Sequence, residues 1–202
     1  MKAWKKVKIK EICKFKYGAN LPASSRIKGN YPVYGSSSIV SYCIDYYVKG
    51  PGIIVGRKGT VGKVQYSPTN FFPIDTTFYI EHNFNKVDLK FLYYHLQISG
   101  LENLNSDAAV PGLNRITAIN QSISLPPLST QKKIAKILSN YDDLIENNLK
   151  RIKLLEELGR LTYEEWFLRY KIDCKKLDID QSINLPFGWE KKSVTECDAF
   201  KQ

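Results

Sequence analysis

From Ser129 to Tyr170 the chain runs without a single proline, and its apolar residues keep helical step. Within QKKIAKILSNYDDLIENNLKRIKLLEELGRLTYEEWFLRY, the residues Ile134, Leu138, Tyr141, Ile145, Asn148, Ile152 and Leu155 follow one another at alternating four- and three-residue intervals. That is a heptad seam. Leu144, Leu149, Leu154, Leu158 and Leu161 widen the apolar surface beyond it. A helix over this stretch reaches up to ~60 Å at ~1.5 Å per residue. A small domain cannot cover such a seam throughout its length, so the pattern predicts a helical partner. Asn148 occupies a seam position, where it either meets a polar group across the interface and fixes register, or lies at a solvated edge.

The preceding segment SLPPL, Ser124 to Leu128, marks a change of character. Two adjacent prolines make a stiff connector, and Ser129 or Thr130 is the expected N-cap of the long helix. Upstream, KFKYG, YPVYG, IVSYCIDYYV, GIIVG, VGKVQY and TTFYI are short aromatic or β-branched runs separated by turn residues. Turns arrive too often for a simple flat sheet, so a curved or barrel-like sheet is expected. One helix is expected over Val87 to Ile98, with Leu89, Leu92, Tyr93 and Leu96 on its apolar face and Asn83 or Asn85 as its cap. The fold class is therefore α+β: a compact, mixed, strand-rich domain over residues 1–126, a long helix over 127–170, and a further segment, 171–202.

That last segment echoes the first. INQSISLPP, Ile119 to Pro127, returns as IDQSINLPF, Ile179 to Phe187, and GWEKKSVTEC after it parallels AWKKVKIKEIC near the start. The pattern is that of repeating units, with 171–202 read as a linker and the beginning of an incomplete second repeat.

Charge separates the regions further. Residues 1–126 hold 16 Lys and Arg against 7 Asp and Glu, residues 127–170 hold 8 against 7, and residues 171–202 hold 6 against 6. Nearly all of the net +10 thus lies in the strand-rich region, and a concentrated positive potential steers and holds phosphate. No apolar run approaches the ~20 residues that span a bilayer, and the basic N-terminus lacks the apolar segment of a signal peptide. A cytoplasmic protein with no membrane association is expected.

The stretch GIIVGRKGTVGKV, Gly52 to Val64, packs glycines around an Arg-Lys pair. It lacks the spacing and the ending of a Walker A loop, and a strand-like run follows it where a nucleotide loop needs a helix. Its glycines permit turns with positive φ, while Arg57, Lys58 and Lys63 supply cationic reach. Further candidates for DNA contact are Lys14, Lys16, Arg26, Lys28, Ser36, Ser37, Ser38, Asn114 and Arg115. Tyr17, Tyr34 and Tyr42 suit sheet packing better than recognition.

Catalytic patterns are wanting. The two histidines, His82 and His95, sit in no suggestive arrangement, and LPPL lacks both ends of the motif with which an adenine methyltransferase holds its target amino group. Cys13, Cys43, Cys174 and Cys197 form no CxxC pair, so buried small hydrophobes are expected rather than a metal site.

Several of these segments resemble the specificity subunit of type I restriction–modification enzymes: YPVYGSSSIV, GIIVGRKGTVGKV, IDTTFYI, VPGLNRITAINQSISLPPLSTQKKIAKILSNYDDLIENN and LEELGRLTYEEWFLRY. The resemblance covers residues 4–170 almost continuously. It implies a target recognition domain followed by a spacer helix, in a family whose chains normally carry two such domains and pack their two helices antiparallel. It also implies a subunit without catalysis or cofactor of its own. Methylation subunits would use S-adenosylmethionine to modify adenine at N6, and restriction subunits would use ATP and Mg to translocate and cleave. One domain and one helix leave half of that plan, which a homodimer restores: two copies would read an interrupted palindrome on double-stranded DNA. Ile134, Leu138, Tyr141, Ile145, Asn148, Ile152 and Leu155 would then form the dimer interface. A truncated regulator or fragment, binding DNA or methylation subunits without supporting activity, is the alternative. Because GRKGTVGK belongs to the shared pattern, it suits a structural turn and phosphate contact better than base reading.

Overall fold

The computed structural model describes residues 4–104, 112–173 and 175–193. The chain divides into two compact units, Met1–Asp142 and Asp143–Gln202.

In the first unit the strands are β1 (Lys5–Lys8), β2 (Cys13–Tyr17), β3 (Tyr31–Tyr34), β4 (Ile39–Cys43), β5 (Gly52–Gly56), β6 (Val64–Ser67), β7 (Phe72–Pro73) and β8 (Thr77–His82). Helices α1 (Leu89–Gln97) and α2 (Arg115–Asn120) follow, then β9 (Ser122–Leu125) and the start of α3 (Leu128–Tyr163). The architecture is mixed α/β with several antiparallel sheets and one long helix. A four-stranded sheet runs β2-β8-β5-β6, a three-stranded sheet β4-β3-β7, and a two-stranded sheet pairs β1 with β9. The expected curved or barrel-like sheet is thus divided into three separate sheets among the described residues. The strand in IVSYCIDYYV stops at Cys43.

Strand β5 explains how the larger sheets share a core. Its sequence GIIVG is buried at every position, and alternation sends successive side chains to opposite faces. Ile53 and Val55 join the main core with Phe15, Phe78, Phe91 and Leu92. Ile54 turns the other way, into a smaller cluster with Tyr34 and Phe71. Each such burial contributes roughly 1.5–3 kcal/mol. The expected helix over Val87–Ile98 is α1, which buries Phe91, Leu92 and Leu96. Its cap is neither Asn83 nor Asn85: the Asp88 carboxylate accepts from the Phe91 N–H at 2.9 Å. Asn83 instead closes the turn just before, accepting from the Asn85 N–H.

The entry to α3 also departs from expectation. Neither Ser129 nor Thr130 caps it. The Pro127 carbonyl accepts from the N–H groups of Thr130 and Gln131, so the helix begins at Leu128. Gln131, 1% exposed, is the buried polar node of this corner. Its Oε1 accepts from the Asp88 N–H at 2.9 Å, and its Nε2 donates to the Lys86 carbonyl at 3.2 Å and the Pro126 carbonyl at 2.8 Å. One side chain therefore ties the start of α1 to the start of α3. Ala135 is buried beside it and Ile134 packs on the core. From Ile137 to Tyr163 the large apolar residues of α3 are exposed.

In the second unit α3 passes into a π-helical turn, Glu164–Leu168. Two small hairpins follow, β10 (Lys171–Ile172) with β11 (Lys175–Lys176) and β12 (Ile179–Asp180) with β13 (Leu185–Pro186). The Trp189 ring lies 5.7 Å from Phe167 and 5.8 Å from Tyr170. Among the described residues no helix is long and apolar enough to cross a membrane.

Gln131→Ala strands a buried N–H and two carbonyls, each costing ~1–3 kcal/mol when unsatisfied. We expect the variant to lose about 2–3 kcal/mol in urea unfolding. A loss below ~0.5 kcal/mol would mean that water replaces the amide at no cost.

Candidate nucleic-acid interface

The register of the four-stranded sheet brings four strand ends together. Tyr17 pairs with Phe78, Gly56 with Thr77, and Val55 with Val64. The end of β2, the start of β8 and the β5–β6 turn thus share one edge of the sheet. The Thr76 carbonyl knots the loops there. It accepts from the Arg57 N–H at 2.9 Å, the Lys58 N–H at 3.1 Å and the Ser36 hydroxyl at 2.7 Å. The Arg57 carbonyl in turn accepts from the Leu113 N–H at 2.8 Å, which brings up the start of α2.

Arg57 and Arg115 converge in this knot. Each guanidinium carbon lies 5.2 Å from the centre of the Tyr17 ring. Arg57 is pinned by two hydrogen bonds to the Asp75 carbonyl, from Nε at 3.0 Å and from an η nitrogen at 2.5 Å. Among the described residues neither arginine forms an ion pair. An exposed cation–π contact contributes ~0.5–1 kcal/mol, which holds a guanidinium in place without neutralising it. The two guanidinium groups thus share one ring as their platform. Tyr17 itself is 49% exposed and packs on Phe78 with ring centres 5.0 Å apart. The packing role expected for it is present, together with a guanidinium platform that the sequence reading missed. Its place at the end of the alternating CKFKY strand was the available signal.

The other candidates sort by position. Lys14 and Lys16 lie on the outward face of β2 and, with Lys10 and Arg115, line a cleft of about 250 Å³ between β2 and α2. The Cys13 thiol is also in that cleft, yet burial pushes it up to about 12, so it is not a thiolate nucleophile despite its cationic neighbours. Lys16 makes a loose ion pair with Glu81 at 3.8 Å. Ser37 and Ser38 are exposed beside Ser36. Asn114 caps α2, accepting from the N–H groups of Ile116 and Thr117. Lys58 is exposed at the knot, whereas Lys63 lines a separate surface with Gln97 and Glu102. Arg26 and Lys28 lie apart: Arg26 donates to the Leu21 carbonyl and to Ser41 on β4. Cys43 is buried like Cys13, while Cys174 and Cys197 lie outside the described residues.

Five backbone amides of the glycine turn are committed within the protein. The N–H groups of Gly56, Arg57, Lys58, Val61 and Gly62 all donate to carbonyls of the protein. Gly56 is required by crowding, since a Cβ there would come within 2.1 Å of the Thr60 carbonyl oxygen. Burial pushes both His82 and His95 below the ordinary histidine range. Among the described residues no group of three or more His, Cys, Asp or Glu is placed to hold a metal ion.

Of the seam residues, Ile134 belongs partly to the domain core, while Leu138, Tyr141, Ile145, Asn148, Ile152 and Leu155 are exposed along α3.

Gly59 and Gly62 both have positive φ, 79° and 74°, but only at Gly62 would a Cβ meet backbone, at 2.3 Å from the Glu102 nitrogen. We expect Gly59→Ala to cost ~1–2 kcal/mol from backbone strain alone, and Gly62→Ala clearly more. Equal losses in thermal unfolding would show that the turn yields as a whole.

The model of the type I restriction modification DNA specificity domain matches residues 1–157. The MjaIX specificity subunit of Methanocaldococcus jannaschii is 26% identical, over 96% of this chain and 51% of its own. The MjaVIII specificity subunit of the same organism is 30% identical over 55% of this chain and 27% of its own. The chain therefore spans about half, or less, of the length of these relatives. Among solved structures, the type I restriction-modification S subunit from M. genitalium shares the fold, with a TM-score of 0.72 at 23% identity over 81% of this chain and 45% of that one. With one domain of recognition-domain size and one long helix, the chain belongs to the type I restriction–modification DNA specificity domain family.

Proposed function

We propose that the first unit is a double-stranded DNA target recognition domain, and that two copies of the chain together act as the specificity subunit of a type I system. The observation that carries DNA binding is the pair Arg57 and Arg115 on Tyr17, two cations that form no ion pair among the described residues. They stand in the region that holds nearly all of the positive excess. Phosphate satisfies both: guanidinium groups donate in a planar fork, and a preset ring platform lowers the ordering cost of the contact. Ser37, Ser38 and Lys58 border the same knot and supply further hydrogen-bond donors toward the phosphate backbone.

The paired arrangement is supported by the seam of α3, where Tyr141, Ile145 and Ile152 are 62%, 58% and 52% exposed. Two copies related by a two-fold axis would read an interrupted palindrome with identical inverted halves. In this reading methylation subunits supply S-adenosylmethionine chemistry at adenine N6, and restriction subunits supply ATP- and Mg-dependent translocation and cleavage. This chain supplies only the address.

Methylation sequencing after coexpression with a cognate methylation subunit tests the whole reading. A chain-dependent motif with identical inverted halves is expected. Unlike halves would require a second recognition chain. No chain-dependent methylation, with both proteins soluble and copurifying, would favour a truncated regulator.

Arg115→Ala should weaken binding to every duplex alike and flatten the log–log salt dependence by about 0.9, the share of one phosphate. An unchanged slope would move Arg115 off the backbone contact. Replacing Ile145 and Ile152 together by Glu should weaken the dimer more than about a hundredfold, since each apolar residue contributes ~1.5–3 kcal/mol. Unchanged dissociation in sedimentation would remove the seam.

A further inference from the structure

The first unit carries an apolar groove that its DNA-facing edge does not use. It holds about 430 Å³ and is lined chiefly by Trp4, Phe91, Tyr94, Ile98, Ile134 and Leu138. Its rim is uncovered: Trp4 is 48% and Ile98 80% exposed. His95 stacks on Phe91 in its wall, with ring centres 5.8 Å apart and planes 10° from parallel. Exposed aromatic and aliphatic surface of this kind marks a contact site. The second unit has a matching surplus. In and just before its π-helical turn, Tyr163, Trp166 and Phe167 are 56%, 40% and 45% exposed.

Charge along α3 selects the occupant. Its opening stretch, residues 128–141, carries Lys132, Lys133 and Lys136 and no acid. Its closing stretch with the π turn and its cap, residues 154–169, carries Glu156, Glu157, Glu164 and Glu165 against Arg160 and Arg169. This distribution opposes the helix dipole, which favours acids at the N-terminus and bases at the C-terminus. Within a single helix it is unfavourable. Against a second, antiparallel copy each basic end meets an acidic end, and both ends gain.

The seam sets the register. A two-fold axis near Lys150 lies midway along the exposed apolar run from Ile137 to Tyr163. It sets seam residues of one copy against seam residues of the other, with Ile145 facing Leu155 and Asn148 facing Ile152. Leu138 then faces Thr162, and Ile134 faces Trp166. The groove continues the surface of Ile134 and Leu138 onto α1 and Trp4.

We propose that this groove is the socket for the aromatic end of α3 of a second copy, with Trp166 as its principal insert. The inference rests on the homodimer reading and adds to it that the recognition domain of one copy grips the helix end of the other. Pairing along the seam alone leaves each domain held only by its own helix. A filled socket couples each domain to both helices.

The test uses the full chain with the photo-crosslinking amino acid p-benzoylphenylalanine at position 98. Irradiation should yield a covalent dimer on a denaturing gel, with crosslinked peptides from residues 158–170. In a parallel arm, Trp166→Ala should weaken dimerisation about tenfold or more, while the thermal unfolding of the first unit is unchanged. A dimer in sedimentation that crosslinks only elsewhere, or not at all, overturns the socket and leaves the seam standing. A chain that stays monomeric at all concentrations overturns the pairing itself. If Trp166→Ala unfolds the chain, crosslink mapping alone decides.

Discussion

A single carbonyl, that of Thr76, holds the edge of the sheet on which the candidate interface stands. Three donors from two separate loops converge on it. Without that convergence the β3–β4 loop and the glycine turn would be independent, and each would have to be ordered at its own entropic cost. With it, Arg57 leaves the turn in a fixed direction, its guanidinium is pinned to the neighbouring Asp75 carbonyl, and Tyr17 receives it. Preorganisation of this sort lowers the cost of binding because little freedom remains to be lost. Gly56 and Gly62 serve the knot: they let backbone approach backbone where a Cβ would intrude.

The same division of labour recurs at the other side of the domain. Gln131 joins the start of α1 to the start of α3 through three hydrogen bonds in a buried site. A polar residue there discriminates better than an apolar one, since only one placement of the two helices satisfies all of its partners. The first turns of α3 are thereby placed on the domain by hydrogen-bond geometry as well as by packing of Ile134 and Ala135.

Much of this was legible in the chain itself. The long helix followed from heptad spacing and the lack of proline, and the strand runs from β-branched and aromatic clusters. In the first unit the strands that escaped reading were β1, β7 and β9, and in the second unit none of the two-residue strands β10 to β13 was read. β1 is three lysines around one valine, and β7 has two residues, so neither carries an alternating apolar signal. β9 hides in the SISL of the segment before the prolines and is a strand because Val7 and Ile123 bury each other. Both helix caps were misassigned for one reason: side-chain type suggests a cap, but tertiary contacts choose among neighbouring candidates. For the interface, Arg57 and Arg115 were identifiable as cations, whereas their meeting on Tyr17 depends on contacts across nearly a hundred residues of sequence. Spacing carries no trace of that.

Strand β1 has one more consequence. It lies on the outside of its two-stranded sheet, with Lys5, Lys6 and Lys8 exposed and only Val7 buried. An exposed strand edge invites another chain to add to it, and lysines along the edge discourage that. Three lysines of the strand-rich region thus stand where they guard an edge against added strands. The lysine count of that region is therefore no measure of its ligand-binding surface.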